Sequence, residues 1–152
     1  MYVYRIVHQQ ARTKDLSGTG AYRTGGRWNS KGIYMLYTSA NSSLALLETL
    51  VHLDISVLPP HMYLMQIQID DTAPIFIPAD GNYPVDWKQP GGLATKSIGD
   101  KWMTASTHVA IRVRSAVNET EFNYLLNPAF VDYSKMVKIE TVREISLDGR
   151  LV

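Results

Sequence analysis

The chain has 152 residues, 15 Lys and Arg against 14 Asp and Glu, 45% hydrophobic residues and no cysteine. That length suits one domain around one core, the composition excludes wholesale disorder, and the missing cysteines exclude disulfide frameworks, thiolate metal sites and thiol nucleophiles. The net charge of +1 hides a polarity: residues 1–31 hold six basic side chains and one acid, a net of +5, so the other 121 residues carry −4, which points to a local anionic ligand.

Met1–Val7 alternates, with Tyr2, Tyr4 and Ile6 expected inward on a first strand. From Gly18 to Gly32 the chain reads as a loop holding five of the ten glycines. A second strand follows over Ile33–Thr38. Ser39–Asp54 reads as a helix capped by Ser39, Asn41 or Ser42, with Leu44, Leu47, Leu50 and Val51 as its apolar stripe, and Pro59-Pro60 closes it off. Met62–Ile69 is a third strand and Ile75–Ile77 a short fourth. Four of the seven prolines then fall between Pro74 and Pro90, ahead of Gly91-Gly92; so long an irregular stretch is either a lid over residues 74–92 or a helix that the pattern hides. Ala94–Thr104 reads as a helix, and His108–Val113, Lys135–Thr141 and Val142–Leu147 as later strands. Without steady strand–helix alternation, the expected class is α+β, one domain over residues 1–152.

The glycine-rich segment fails both nucleotide motifs. After Gly18-Thr19-Gly20, Arg23 stands where a dinucleotide fingerprint needs glycine, and Gly26-Arg27 stands where a P-loop needs Lys-Ser/Thr. His8, His52, His61 and His108 are scattered without helical zinc spacing, and no Gly-x-Ser-x-Gly elbow occurs. A metal site is therefore not expected. No signal-peptide pattern and no run of roughly 18–20 apolar residues is present, so a cytoplasmic location without membrane contact is expected.

Four features remain. Gly25-Gly26-Arg27-Trp28-Asn29 places a phosphate-matching fork beside a bendable backbone, although a tight turn with a surface Arg explains it equally well. Glu48 sits beside an apolar stripe, where a carboxylate needs a partner or a task, with Tyr37 upstream at a strand end. Ser115 ends the strand through Arg112-Val113-Arg114, and Asn127 precedes Pro128, as turn residues commonly do.

In order and spacing these blocks resemble the RES domain family, toxins of bacterial toxin–antitoxin pairs. The matching residues are Tyr4-Arg5, Gly25-Gly26-Arg27-Trp28-Asn29 with Gly32, Tyr37-Thr38-Ser39, Leu44-Ala45-Leu46-Leu47-Glu48, Ser115-Ala116-Val117 and Asn123-Tyr124-Leu125-Leu126-Asn127-Pro128. Arg27, Glu48 and Ser115 fall on the family's eponymous Arg, Glu and Ser. Two positions depart: Arg114 stands where the family usually has Pro, and Ala129-Phe130 where it commonly has His.

The resemblance implies an ADP-ribosyltransferase-like fold, a mixed sheet with flanking helices, and cleavage of NAD as substrate with no resident cofactor. It further implies catalytic roles for Arg27, Tyr37, Glu48 and Ser115, NAD binding by Arg5, Arg27, Tyr37 and Asn127, and an Xre-like helix-turn-helix antitoxin as partner within an oligomeric complex. The alternatives are transfer of ADP-ribose to a host protein and, from another class, a noncatalytic nucleic-acid module stacking bases on Tyr22 and Trp28 beside Arg23 and Arg27.

Overall fold

The computed structural model describes residues 1–152. Its strands are β1 (Tyr2–Val7), β2 (Leu36–Ser39), β3 (Met62–Ile69), β4 (Ile75–Phe76), β5 (Ala110–Arg114), β6 (Phe122–Leu126) and β7 (Val137–Ile145), and its helices α1 (Thr19–Thr24), α2 (Ser42–Leu50), α3 (Leu93–Ala105) and α4 (Tyr133–Met136). The strands form one sheet in the order β4-β5-β6-β2-β1-β3-β7, parallel at β4–β5 and antiparallel elsewhere. This is the expected α+β class with a mixed sheet. No helix is long and apolar enough to cross a membrane.

Both faces of the sheet are covered, and that reverses the expected orientation of β1. Val3 and Val7 enter the larger core with Leu36, Ile67 and Leu126, while α2 packs over β1 from the other side and leaves Tyr4 and Ile6 half-buried. Alternation showed that β1 has two faces, but two buried faces give no polar side to orient them. The smaller core, on the opposite face, gathers Trp28, Met35, Met103, Ile111, Val113 and Leu125. Trp28 stacks on Trp102 at 5.4 Å and meets Tyr83 edge-on at 5.7 Å.

The glycine-rich segment is not simply a loop, because α1 occupies its first part. Gly18 enters it at φ 70° and Gly25 leaves it at φ 71°, left-handed positions that favour glycine. α2 is shorter than its apolar run. Asn41 caps it by accepting from the Leu44 N–H at 2.8 Å, whereas Leu47 and Val51 are 42% and 57% exposed. Its inward face is instead Leu44, Ala45 and Glu48, spaced as helical neighbours.

The two strands expected after Lys135 are one. α4 precedes β7, and the register with β3 slips between Gln66 and Ile67, so Glu140 is an extra residue. A bulge of this kind resets the alternation of inward residues, which makes one strand read as two.

Candidate active site

β1 and β2 are in register only at Tyr4 and Ser39. Beyond that pair the strands part, and a cleft of about 610 Å³ opens between them, α1, α2 and the end of β5, within the range of small-molecule sites. Arg5, Arg27, Tyr37 and Glu48 line it. Ser115 is not on the cleft wall: it is fully buried behind it and touches the site through its hydroxyl, which donates to Glu48 Oε1 at 2.7 Å.

Glu48 Oε1 also accepts from Asn123 Nδ2 at 2.6 Å, and Ser39 Oγ donates to Asn123 Oδ1 at 2.8 Å. The Ser115 hydroxyl accepts in turn from the Val117 and Asn118 N–H groups, both at 3.1 Å. One carboxylate oxygen is thus clamped by two donors whose own positions are fixed, while Oε2 has no donor from the protein. Residue types alone did not single out Asn123 and Ser39. Both are polar, on the cleft-facing side of adjacent strands in register with one another, and that register is the signal that would have found them.

Arg27 sits in a turn assembled around Asn29. The fully buried Asn29 donates from Nδ2 to the carbonyls of Ala21, Ser30 and Ile33 at 2.9, 3.0 and 3.1 Å. Its Oδ1 accepts from the Tyr37 hydroxyl at 2.8 Å, which accepts from the Trp28 N–H at 2.9 Å. A Cβ on Gly26 would lie 2.5 Å from that hydroxyl, so the second glycine is there for close approach. Burial pushes the Tyr37 phenol well above its ordinary value, and it stays protonated. Tyr37→Phe leaves the Trp28 N–H without its acceptor; the expected loss is about 1–3 kcal/mol, read as a lower denaturant midpoint.

α3 holds the same turn from beyond it. Lys96 Nζ donates to the Gly26 carbonyl and, at 3.3 Å, to that of Asn29, and Asp100 accepts from the Ser30 N–H at 2.9 Å. Lys96 also lines the cleft; nothing in its local sequence marked it. From the opposite side, Arg27 Nη1 donates to the carbonyls of Trp87, Lys88 and Gln89 at 3.1, 2.6 and 3.3 Å. Lys88 pairs with Glu119 at 2.6 Å. The segment expected to be a lid is therefore tied to Arg27 at one point and to the loop after Ser115 at another, with Pro90 and Gly91 on the cleft wall.

Asn127 lies outside the cleft. It is fully buried, its Nδ2 donating to the Met103 carbonyl at 3.0 Å and its Oδ1 accepting from the Ala129 N–H at 3.1 Å. Both its polar groups serve the join between α3 and the turn after β6. Arg5 shares the strand face of Val3 and Val7 and makes no side-chain hydrogen bond within the protein, yet it borders the cleft where the strands part. Burial, then the nearby Arg12 guanidinium, lowers its pKa.

The two sequence departures also find places. The Arg114 N–H donates to the Tyr83 hydroxyl at 3.0 Å, a bond proline cannot make, and its side chain pairs with Asp80 at 2.7 Å. Phe130 packs on the larger core, away from the cleft. Trp28 is 2% exposed and so has no free ring face for a base, which removes half of the stacking platform of the nucleic-acid alternative.

A RES domain family model matches residues 2–148. The chain is 38% identical over 141 residues to the "Prs ADP-ribosylating toxin" of Sphingobium sp., covering 91% of this chain and 87% of the relative. It is 34% identical over 152 residues to "Toxin Res" of Yersinia enterocolitica, covering 99% of each. Among solved structures, a chain of the M. tuberculosis MbcT–MbcA toxin–antitoxin complex superposes with a TM-score of 0.64 at 17% identity, covering 95% of this chain and 84% of that one, a likeness of fold. With the domain matched from end to end and these toxins as its relatives, the chain belongs to the RES domain family.

Proposed function

We propose that the cleft breaks the nicotinamide–ribose bond of NAD. The observation that carries this reading is Glu48, a carboxylate held by Ser115 and Asn123 through one oxygen with the other free. Breaking the bond passes through an oxocarbenium-like sugar. A fixed carboxylate accepting a ribose hydroxyl gains strength as positive charge grows there, so it binds the transition state better than the substrate. Nicotinamide leaves as a neutral molecule and needs no general acid. Arg27, with Arg5 across the cleft, holds the diphosphate through charge-assisted bonds, and the Tyr37 ring flanks the nicotinamide.

Nicotinamide release by the purified protein tests this directly; none at saturating NAD overturns it. The acceptor of ADP-ribose is water, phosphate or a protein. Similarity to a relative named as ADP-ribosylating favours a protein acceptor as the second reading. NAD labelled in its adenosine half separates the two: label on a polypeptide means transfer, label on a small molecule means depletion of NAD. A helix-turn-helix antitoxin of Xre type is the partner that fits, within an oligomeric toxin–antitoxin complex in the cytoplasm.

Diphosphate competes with the three backbone carbonyls for Arg27, so binding shifts residues 87–91. Trp87, stacked 6.3 Å from Trp28, reports this: its fluorescence changes on saturation with an uncleavable NAD analogue, and Trp87→Phe abolishes the change. An unaltered spectrum at saturation removes the lid from the account.

A further inference from the structure

The hydrogen bond from Ser115 to Glu48 joins two parts of the fold that no backbone ladder connects. Glu48 stands on α2, which starts from the end of β2, and Ser115 follows β5, on the far side of β6 from β2. α2 itself packs on β1 and β2. A bond of 2.7 Å between them requires that the helix and the end of β5 keep a fixed spacing, because hydrogen bonds weaken within a few tenths of an ångström.

One residue is bonded to both sides. The Glu121 carbonyl accepts from the Ser115 N–H at 2.9 Å, and its carboxylate Oε2 accepts from Asn41 Nδ2 at 3.0 Å. Asn41 is the cap of α2, and its Oδ1 is committed to the Leu44 N–H at 2.8 Å, so only the amide nitrogen is left to face Glu121. Glu121 is in turn fixed by its own N–H, which donates to the Asn118 carbonyl at 3.0 Å, and by the next residue, Phe122, whose carbonyl accepts from the Ala40 N–H at 3.0 Å. Two residues further on, Asn123 reaches Glu48. The start of β6 therefore grips α2 at two points, Asn41 and Glu48, seven residues or about 10 Å apart along the helix. One point would let the helix swing about it; two set its direction. The Glu121 side chain is half-buried and its one partner is a neutral amide, so no ion pair offsets its desolvation and a carboxylate there needs a task. It does not line the cleft.

We propose that Glu121 is a positioning residue for Glu48: by bridging the Asn41 cap and the Ser115 backbone it sets the spacing across which Ser115 and Asn123 clamp Oε1. The chemistry given to Glu48 rests on the cleavage reading, whereas the bridge has a readout of its own.

The test exchanges donor and acceptor. Asn41→Asp keeps the cap oxygen for Leu44 but sets a second carboxylate against Glu121. It is expected to lower kcat for nicotinamide release about tenfold with KM within about twofold, since rate falls steeply with misplacement. Glu121→Ala, which has no acceptor, behaves alike. The double variant Asn41→Asp/Glu121→Gln restores the bond with its direction reversed, an amide at position 121 donating to the carboxylate at position 41, and kcat returns to within about twofold of wild type. Helix stability alone predicts otherwise: Asp caps as well as Asn and its charge suits a helix N-terminus, so a merely structural role leaves Asn41→Asp at wild-type activity. The Asn123 side-chain amide proton, bonded to Glu48 at 2.6 Å, reports by NMR without turnover; its resonance moves in Asn41→Asp and Glu121→Ala and returns in the double variant. The bridge is overturned if Asn41→Asp leaves either kcat or this resonance as in wild type, or if the double variant does not recover. Where the wild type itself releases no nicotinamide, the cleavage reading falls and the Asn123 resonance alone decides the bridge.

Discussion

If the cleft cleaves NAD as proposed, Glu48→Gln is expected to lower nicotinamide release by about 10²–10³-fold or more, with the melting temperature unchanged within about 2 °C. The two halves of this result have separate physical causes. Gln keeps an oxygen where Oε1 accepts from Ser115 and Asn123, so the packing of α2 on the sheet is retained. What disappears is the negative charge that the proposed mechanism sets against the ribose, and removing one fixed electrostatic partner of a developing charge has an effect of this size. Ser115→Ala differs in kind. It leaves the Val117 and Asn118 N–H groups without their shared acceptor and Glu48 with one clamp, so activity falls and stability falls with it, by about 1–3 kcal/mol or several degrees in Tm. Nicotinamide release and differential scanning calorimetry on both variants check this; a Glu48→Gln protein as active as wild type removes Glu48 from the chemistry.

How much of this site was legible in the sequence depends on what each residue does. Glu48 stands out because a carboxylate beside an apolar stripe needs a partner or a task, and Arg27 because its planar fork follows a Gly-Gly pair. Asn123 and Ser39 do not, since a neutral polar residue in a strand has no pattern of its own; only the register of β2 with β6 makes them one unit. Asn127 was drawn into the site by its neighbours in sequence, although burial and two hydrogen bonds commit it to the α3 end of the fold. The same limit applies to the architecture. Strand and helix positions followed from periodicity, but the inward face of β1, the union of the last two strands across a bulge and the helix inside the glycine segment are set by long-range packing. The charge polarity between residues 1–31 and the rest of the chain is informative in part. Arg5, Arg12 and Arg27 of the six basic residues in the first 31 reach the cleft, and the acidic remainder returns Lys96 and Arg114 to it.

A second large effect is expected at a residue that has no side chain at all. Gly99, fully enclosed in α3, meets the backbone of Trp28 so closely that a Cβ would lie 1.7 Å from its carbonyl oxygen and 2.7 Å from its carbonyl carbon. Neither atom is the end of a flexible side chain. The helix must move, and Lys96 and Asp100, one turn before it and one residue after it, lose their bonds to the Gly26, Asn29 and Ser30 backbone. Glycine inside a helix is unfavourable by roughly 1 kcal/mol against alanine, so its presence marks a close approach that propensity alone hides. Gly99→Ala is therefore expected to destabilise the protein by more than about 3 kcal/mol, beyond ordinary overpacking, a fall of about 10 °C in Tm. The remaining folded fraction should also lose activity, because the turn that aims Arg27 is held against this helix. Gly81→Ala supplies the contrast: nothing stands within 4 Å of its Cβ, and it should change stability by no more than about 0.5 kcal/mol. Thermal melts of the two variants beside wild type read the difference, and a Gly99→Ala midpoint within about 2 °C of wild type would show that α3 and the Gly-Gly-Arg turn are not locked together.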